Sequence, residues 1–167
     1  MRFLLVLSFI LLVSLPAHAQ QQGGDPYRAT EYPVPRFVSL RADKVYARTG
    51  PGTRYPIRWV YQKQNLPVEV VLEYDTWRKI KDIDGDEGWV HQSLLSGART
   101  GIVRAETDLA LYRKPDPESR ILAYAAPEAV VGIEECGPQW CLIDAEGYKG
   151  WADKRSLWGV YADEVFD

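Results

Sequence analysis

From Phe37 onward, apolar and polar residues alternate over short stretches such as Val45-Tyr46-Ala47, Val68 to Leu72 and Trp77-Arg78-Lys79-Ile80. Clusters of Gly, Pro, Asp and Asn separate these stretches every several residues. No window long enough for a globular helix repeats with the helical period, so the pattern predicts an all-β chain of short strands. The one helical candidate, Ser119 to Ala126, is short and lies between Pro117 and Pro127. Residues 20–36 follow neither period. They are polar and rich in Gly and Pro, which predicts a flexible spacer. Its end, Tyr32-Pro33-Val34-Pro35-Arg36, favours extended polyproline II, and a plain spacer is preferred over a proline-rich ligand docked on a neighbouring barrel.

Upstream of the spacer the pattern changes again. Arg2 precedes an apolar run from Phe3 to Leu15 broken only by serines, and Pro16-Ala17-His18-Ala19 places small residues at the −3 and −1 positions of a cleavage site. This is the layout of a secretory signal peptide over residues 1–19, cleaved after Ala19. The run is short for a span and no basic stop-transfer cluster follows, so stable membrane insertion after cleavage is not expected. The expected location is periplasmic or secreted.

The strand-forming part says the same thing twice. The first copy, residues 37–96, contains Val45-Tyr46-Ala47-Arg48-Thr49-Gly50-Pro51-Gly52, Tyr55-Pro56-Ile57, Val68 to Glu73, Trp77 to Ile80, Gly88-Trp89-Val90 and Ser93-Leu94-Leu95. The second, residues 102–160, answers with Leu109 to Asp116, Arg120-Ile121-Leu122, Ala129 to Glu135, Trp140 to Ile143, Gly150-Trp151-Ala152 and Ser156-Leu157-Trp158. The offsets are 64 residues from Pro51 to Pro115, 63 from Trp77 to Trp140 and 62 from Trp89 to Trp151. Units of this size bury little surface alone, so two small β-barrels packed side by side are expected.

Composition narrows the function. The 167-residue chain is 46% apolar and 26% charged with net charge −3, which excludes disorder and a collagen-like fibre and leaves no general attraction for nucleic acid. Past the leader only His91, Cys136 and Cys141 remain of the histidines and cysteines, too few for most metal or thiol catalysis. The aromatic content, six Trp and ten Tyr, is the unusual entry point for chemistry.

The Arg48-x-Gly50-Pro51 element, Tyr55-Pro56, the strand from Pro67, Trp77 and Gly88-Trp89-Val90 resemble the bacterial SH3 domains of cell-envelope proteins. The second copy diverges, lacking counterparts of Gly50 and Gly52. Together the copies resemble the tandem SH3-like proteins exported by α-proteobacteria. The resemblance implies two SH3-like barrels, no enzyme activity, no cofactor, and a partner that is peptidoglycan, its peptides, or a periplasmic protein held in an SH3-like groove.

Cys136-Gly137-Pro138-Gln139-Trp140-Cys141 sits where neighbouring strands turn, so a structural disulfide is expected, stabilising by about 2 kcal/mol. Reactive dithiols use a Cys-x-x-Cys at a helix start, and neither feature is present. His91 lacks a recognisable nucleophile motif around any serine and reads as a loop residue, so no catalytic residue is named. Asp82, Asp84, Asp86 and Glu87 lack the register of a calcium loop and read as a hairpin turn around Asp84-Gly85; no metal site is expected. Trp77, Trp89, Trp140 and Trp151 recur in both copies and belong to packing. Tyr46, Arg48, Tyr55, Trp59 and Tyr61, centred on the first copy, are the candidate ligand contacts. Their rings suit sugar faces or an extended peptide, and Arg48 either meets a ligand carboxylate or pins the turn.

Overall fold

The protein, described here from a computed structural model, is seen over residues 30–167. The leader and the first part of the spacer lie outside the described residues. Fourteen short strands and two 3₁₀ turns follow one another in an order that repeats. The first half holds β1 (Arg36–Leu40), β2 (Val45–Arg48), β3 (Ile57–Tyr61), β4 (Pro67–Tyr74), β5 (Trp77–Lys81), β6 (Glu87–His91), a 3₁₀ turn (Gln92–Leu94) and β7 (Leu95–Ser96). The second holds β8 (Thr100–Val103), β9 (Leu109–Tyr112), β10 (Ile121–Ala125), β11 (Val130–Cys136), β12 (Trp140–Ala145), β13 (Tyr148–Asp153), a 3₁₀ turn (Lys154–Ser156) and β14 (Leu157–Trp158). The segment weighed as a helix is strand β10, between the predicted proline boundaries.

Each half is one antiparallel sheet, ordered β3-β2-β6-β5-β4-β1-β7 and β10-β9-β13-β12-β11-β8-β14. The two orders are the same path walked twice. Even the irregularities match: β4 shifts register between Val70 and Leu72, β11 between Ile133 and Glu135. Alternation along β5 and β6 puts Arg78, Ile80, Gly88 and Val90 inward, as the period-two pattern requires. Leu40, Val45, Val70, Ile80 and Val90 fill the first core, and Val103, Leu111, Val131, Ile143 and Ala152 the second.

One expectation is corrected. The sheets curl around their cores but do not close into barrels. β2 meets β6 at a single register position, Arg48 opposite Trp89, and then diverges, so β3 hangs off one edge and never reaches β7. The Gly-Trp corner makes that crossing possible. A Cβ on Gly88 would lie 2.7 Å from Ala47 Cβ, and one on Gly150 would lie 2.8 Å from Leu111 Cβ. Only a residue without a side chain lets the crossing strand approach so closely.

The spacer reading also needs correction at its end. Strand β1 already begins at Arg36, and the segment before it is held down. Thr30 Oγ1 donates to the Glu73 carboxylate at 2.9 Å, Arg36 Nη2 donates to Glu73 Oε1 at 2.7 Å, and Arg36 Nη1 donates to the Pro33 carbonyl at 3.1 Å. The Val34–Pro35 bond is cis, in place of the expected continuous extended run.

The halves meet at β14 and the chain that follows it. Phe37 packs edge-on against Trp158 (centroids 5.1 Å apart) and at a tilt against Tyr161 (4.7 Å). The Tyr161 hydroxyl donates to Glu69 Oε1 at 2.8 Å. Gly159, at φ 118°, turns the tail; a Cβ there would sit 2.4 Å from the Thr100 carbonyl. Beyond it Arg99 donates to both oxygens of Glu164, at 2.6 and 3.0 Å, and Phe166 exchanges backbone bonds with Cys136.

Candidate functional site

The β2–β3 hairpin carries or adjoins the five residues singled out as ligand contacts, and the fold sorts them into two kinds. Three are occupied by architecture. Arg48 Nη1 donates to the carbonyls of Tyr55 (2.8 Å) and Thr53 (3.1 Å), pinning the loop between the strands. The Tyr55 ring lies against Gly50, where a Cβ would come within 2.5 Å of it, and the Arg54 guanidinium sits 5.2 Å above the same ring. Tyr61 turns toward the core and its hydroxyl donates to Asp82 Oδ2 at 2.9 Å. Burial, together with the charges of Asp82, Asp86 and Asp84 and that hydrogen bond, pushes the Tyr61 phenol above its ordinary range.

The other two remain available. Tyr46 is 37% exposed, with the Lys44 ammonium 5.3 Å from its ring centre, and Trp59 is 41% exposed. They do not share a face. Tyr46 stands opposite Val60 and Trp59 opposite Ala47, so the hairpin shows one ring on each side. Since β3 is the sheet edge, neither side is covered; Ile57, Arg58, Trp59 and Val60 are all exposed.

What the reading of single residues missed is the company these rings keep. Between positions 41 and 63 stand Arg41, Lys44, Arg48, Arg54, Arg58 and Lys63, with Asp43 as the one acid, in a chain whose net charge is −3. None of those cations belongs to an ion pair seen among the described residues. The charge run was visible in the sequence; the exposure of the strand it flanks was not. The corresponding stretch of the second copy, positions 105–127, balances Arg113, Lys114 and Arg120 against Glu106, Asp108, Asp116 and Glu118.

The remaining candidates take structural places. His91 packs edge-on against Trp77, 5.5 Å between centroids, and its Nδ1 accepts the Ser93 N–H that starts the 3₁₀ turn. Asp153 caps the matching turn in the second copy by accepting from the Arg155 N–H. The Asp82 carboxylate accepts from the N–H groups of Asp84 (3.1 Å) and Asp86 (2.9 Å), which shapes the hairpin around Gly85 at φ 88°. Cys136 and Cys141 form a disulfide across β11 and β12. Beside it a cleft of about 530 Å³ lies between Trp140, Arg155, Leu157 and Val160. Among the described residues no cluster of three or more His, Cys, Asp or Glu could hold a metal ion, and no helix is long and apolar enough to cross a membrane.

Comparison with known proteins places this geometry. The family profile of the bacterial SH3 domain matches twice, over residues 41–97 and 105–159. No curated protein matches the sequence. Among solved structures the chain is similar to NlpC2 from Trichomonas vaginalis (16% identity, 76% of this chain and 49% of that one, TM-score 0.34). It is also similar to NlpC1 from the same organism (14%, 78% and 48%, TM-score 0.33) and to a chain described as an autolysin from Listeria monocytogenes (17%, 75% and 62%, TM-score 0.32). This chain spans about half the length of the two NlpC proteins.

Proposed function

Because the chain belongs to the bacterial SH3 domain family, we propose that it is an exported, non-enzymatic binding module of the cell envelope that recognises peptidoglycan or its peptides. The observation that carries this is the pairing of exposed rings, Tyr46 and Trp59, with cations that join no ion pair among the described residues, Lys44 and Arg58, on one hairpin of an otherwise acidic chain. Indole and phenol faces suit the apolar faces of sugar rings, and ammonium and guanidinium groups suit the carboxylates of attached peptides. Arg48, Tyr55 and Tyr61 then act as positioning residues that hold the hairpin in shape. The apolar run and small-residue cleavage signal of residues 1–19 support export to the periplasm.

Co-sedimentation with purified sacculi tests this. The chain is expected to pellet with sacculi well above an albumin control, and Trp59→Ala with Tyr46→Ala to remain in solution. Wild-type protein that pellets no more than albumin overturns the proposal.

A further inference from the structure

We infer that the free edge of β3 accepts an extended acidic peptide as an added antiparallel strand. The inference rests on the reading of the copy-one hairpin as the contact surface, and it names the partner's chemistry and mode of binding.

Three observations meet at this strand. First, β3 ends its sheet: on one side it pairs with β2, from Val45 opposite Tyr61 to Arg48 opposite Ile57, and on the other it pairs with no strand among the described residues. A row of unpaired backbone donors and acceptors is a template for strand addition. Second, Ile57, Trp59 and Val60 are each more than two-fifths exposed, so an added strand finds apolar contacts on both of its faces rather than a single groove. Trp59 and Val60, which stand on opposite faces of β3, become neighbours of such a strand, and Tyr46 on β2 stands behind Val60. Third, the charges select the partner. Arg54 and Arg58 flank the Ile57 end, with Lys44 and Lys63 at the other, and none has an acidic partner among the described residues.

The field is not uniform along the strand. Asp82, Asp84 and Asp86 approach the Tyr61 end, where Asp82 accepts the Tyr61 hydroxyl. Positive potential is therefore concentrated at the Ile57–Trp59 end, and the acidic residues of the partner belong there. The matching edge β10 shows Ile121, Leu122 and Tyr124 to solvent but lacks the charge excess, so it does not compete for an acidic partner.

The experiment uses the full chain and three end-capped peptides of equal length, followed by fluorescence anisotropy. One alternates Glu with Val or Ile, the second replaces each Glu by Lys, and the third keeps the Glu residues but carries Pro at alternate positions. Only the first is expected to bind. Arg58→Glu is expected to weaken that binding about tenfold, and Arg120→Glu in the second copy to leave it unchanged. Equal binding of the proline peptide overturns strand addition, and equal binding of the Lys peptide overturns the charge selection. No peptide binding while sacculi still sediment with the chain overturns this inference and leaves the envelope reading standing; loss of both overturns the hairpin as a contact surface.

Discussion

Glu73 and Cys136 hold the same place in their two sheets, and each is tied across the hairpin to the residue at the corresponding place on the next strand. Glu73 stands opposite Arg78 and Cys136 opposite Cys141. The first copy thus closes this corner with a buried ion pair, Arg78 Nε to Glu73 Oε1 at 3.2 Å with both side chains at most 3% exposed, where the second uses a covalent bond. Each corner is also covered by a segment that flanks its own copy. Thr30 and Arg36 reach Glu73 from the N-terminal side, and Phe166 pairs with Cys136 from the C-terminal side.

Removing Arg78 takes from the buried Glu73 carboxylate one of its two cations and leaves Arg36 as the other. Arg78→Met is therefore expected to destabilise the protein by about 3 kcal/mol in urea denaturation. The double variant Glu73→Cys with Arg78→Cys, which repeats the register of the second copy, is expected to form a disulfide detectable by mass spectrometry without reductant. A free dithiol after air oxidation contradicts the equivalence of the two corners.

Opening the native bridge removes a constraint on the unfolded chain. Cys136→Ser with Cys141→Ser is expected to lower stability by about 2 kcal/mol. The backbone exchange between Cys136 and Phe166 uses no sulfur and persists. Dithiothreitol applied to the wild type is expected to shift the urea midpoint in the same direction.

Acid weakens the molecule through carboxylates that folding depresses, Glu73 and Glu164 among them. Burial pushes the Glu73 carboxyl up, but hydrogen bonds from Arg36 and Thr30 and the charges of Arg78 and Arg36 outweigh it and hold it below its ordinary value of 4.5. Glu164 behaves alike: burial raises it, while Arg99, the Tyr161 N–H and Lys154 bring it lower. A carboxyl depressed by folding stabilises above its unfolded value and loses that contribution as pH falls through the folded one. Urea midpoints are thus expected to drop below about pH 4.5, and Glu73→Gln to flatten that dependence while lowering stability at neutral pH. An unchanged slope in Glu73→Gln contradicts the assignment.

The tail couples the halves. Phe37→Ala removes the ring that Trp158 and Tyr161 pack against and is expected to split a single thermal transition into two. Tyr161→Phe, which deletes only the bond to Glu69, is expected to cost about 1 kcal/mol and keep one transition.

Gly88→Ala places a methyl 2.7 Å from Ala47 Cβ inside the strand crossing. Overpacking of this kind costs about 1–3 kcal/mol, and a lowered melting temperature is the expected readout. Gly97→Ala meets nothing within 4 Å and serves as the neutral control.

Strand positions, the internal repeat, the Gly-Trp corners and the Cys136–Cys141 bridge were legible in the residues, because each depends on residue order and spacing along the chain. Alternation fixes which side chains face inward, and two copies with the same landmarks must fold alike. The family likeness follows from the same local signals. What lay outside local pattern was how far each sheet curls, that Arg36 and Thr30 reach across to Glu73, and which of five candidate side chains stay uncovered. Exposure of Trp59 depends on β3 being left at an edge, and that is decided by where β2 diverges from β6, a pairing between residues some forty positions apart. Arg48 and Tyr61 look identical in the sequence whether they meet a ligand or a neighbour. Only the approach of the Tyr55 carbonyl and the Asp82 carboxylate turns them into struts, because those hydrogen bonds exist only once the hairpin has folded and the sheet has curled around its core.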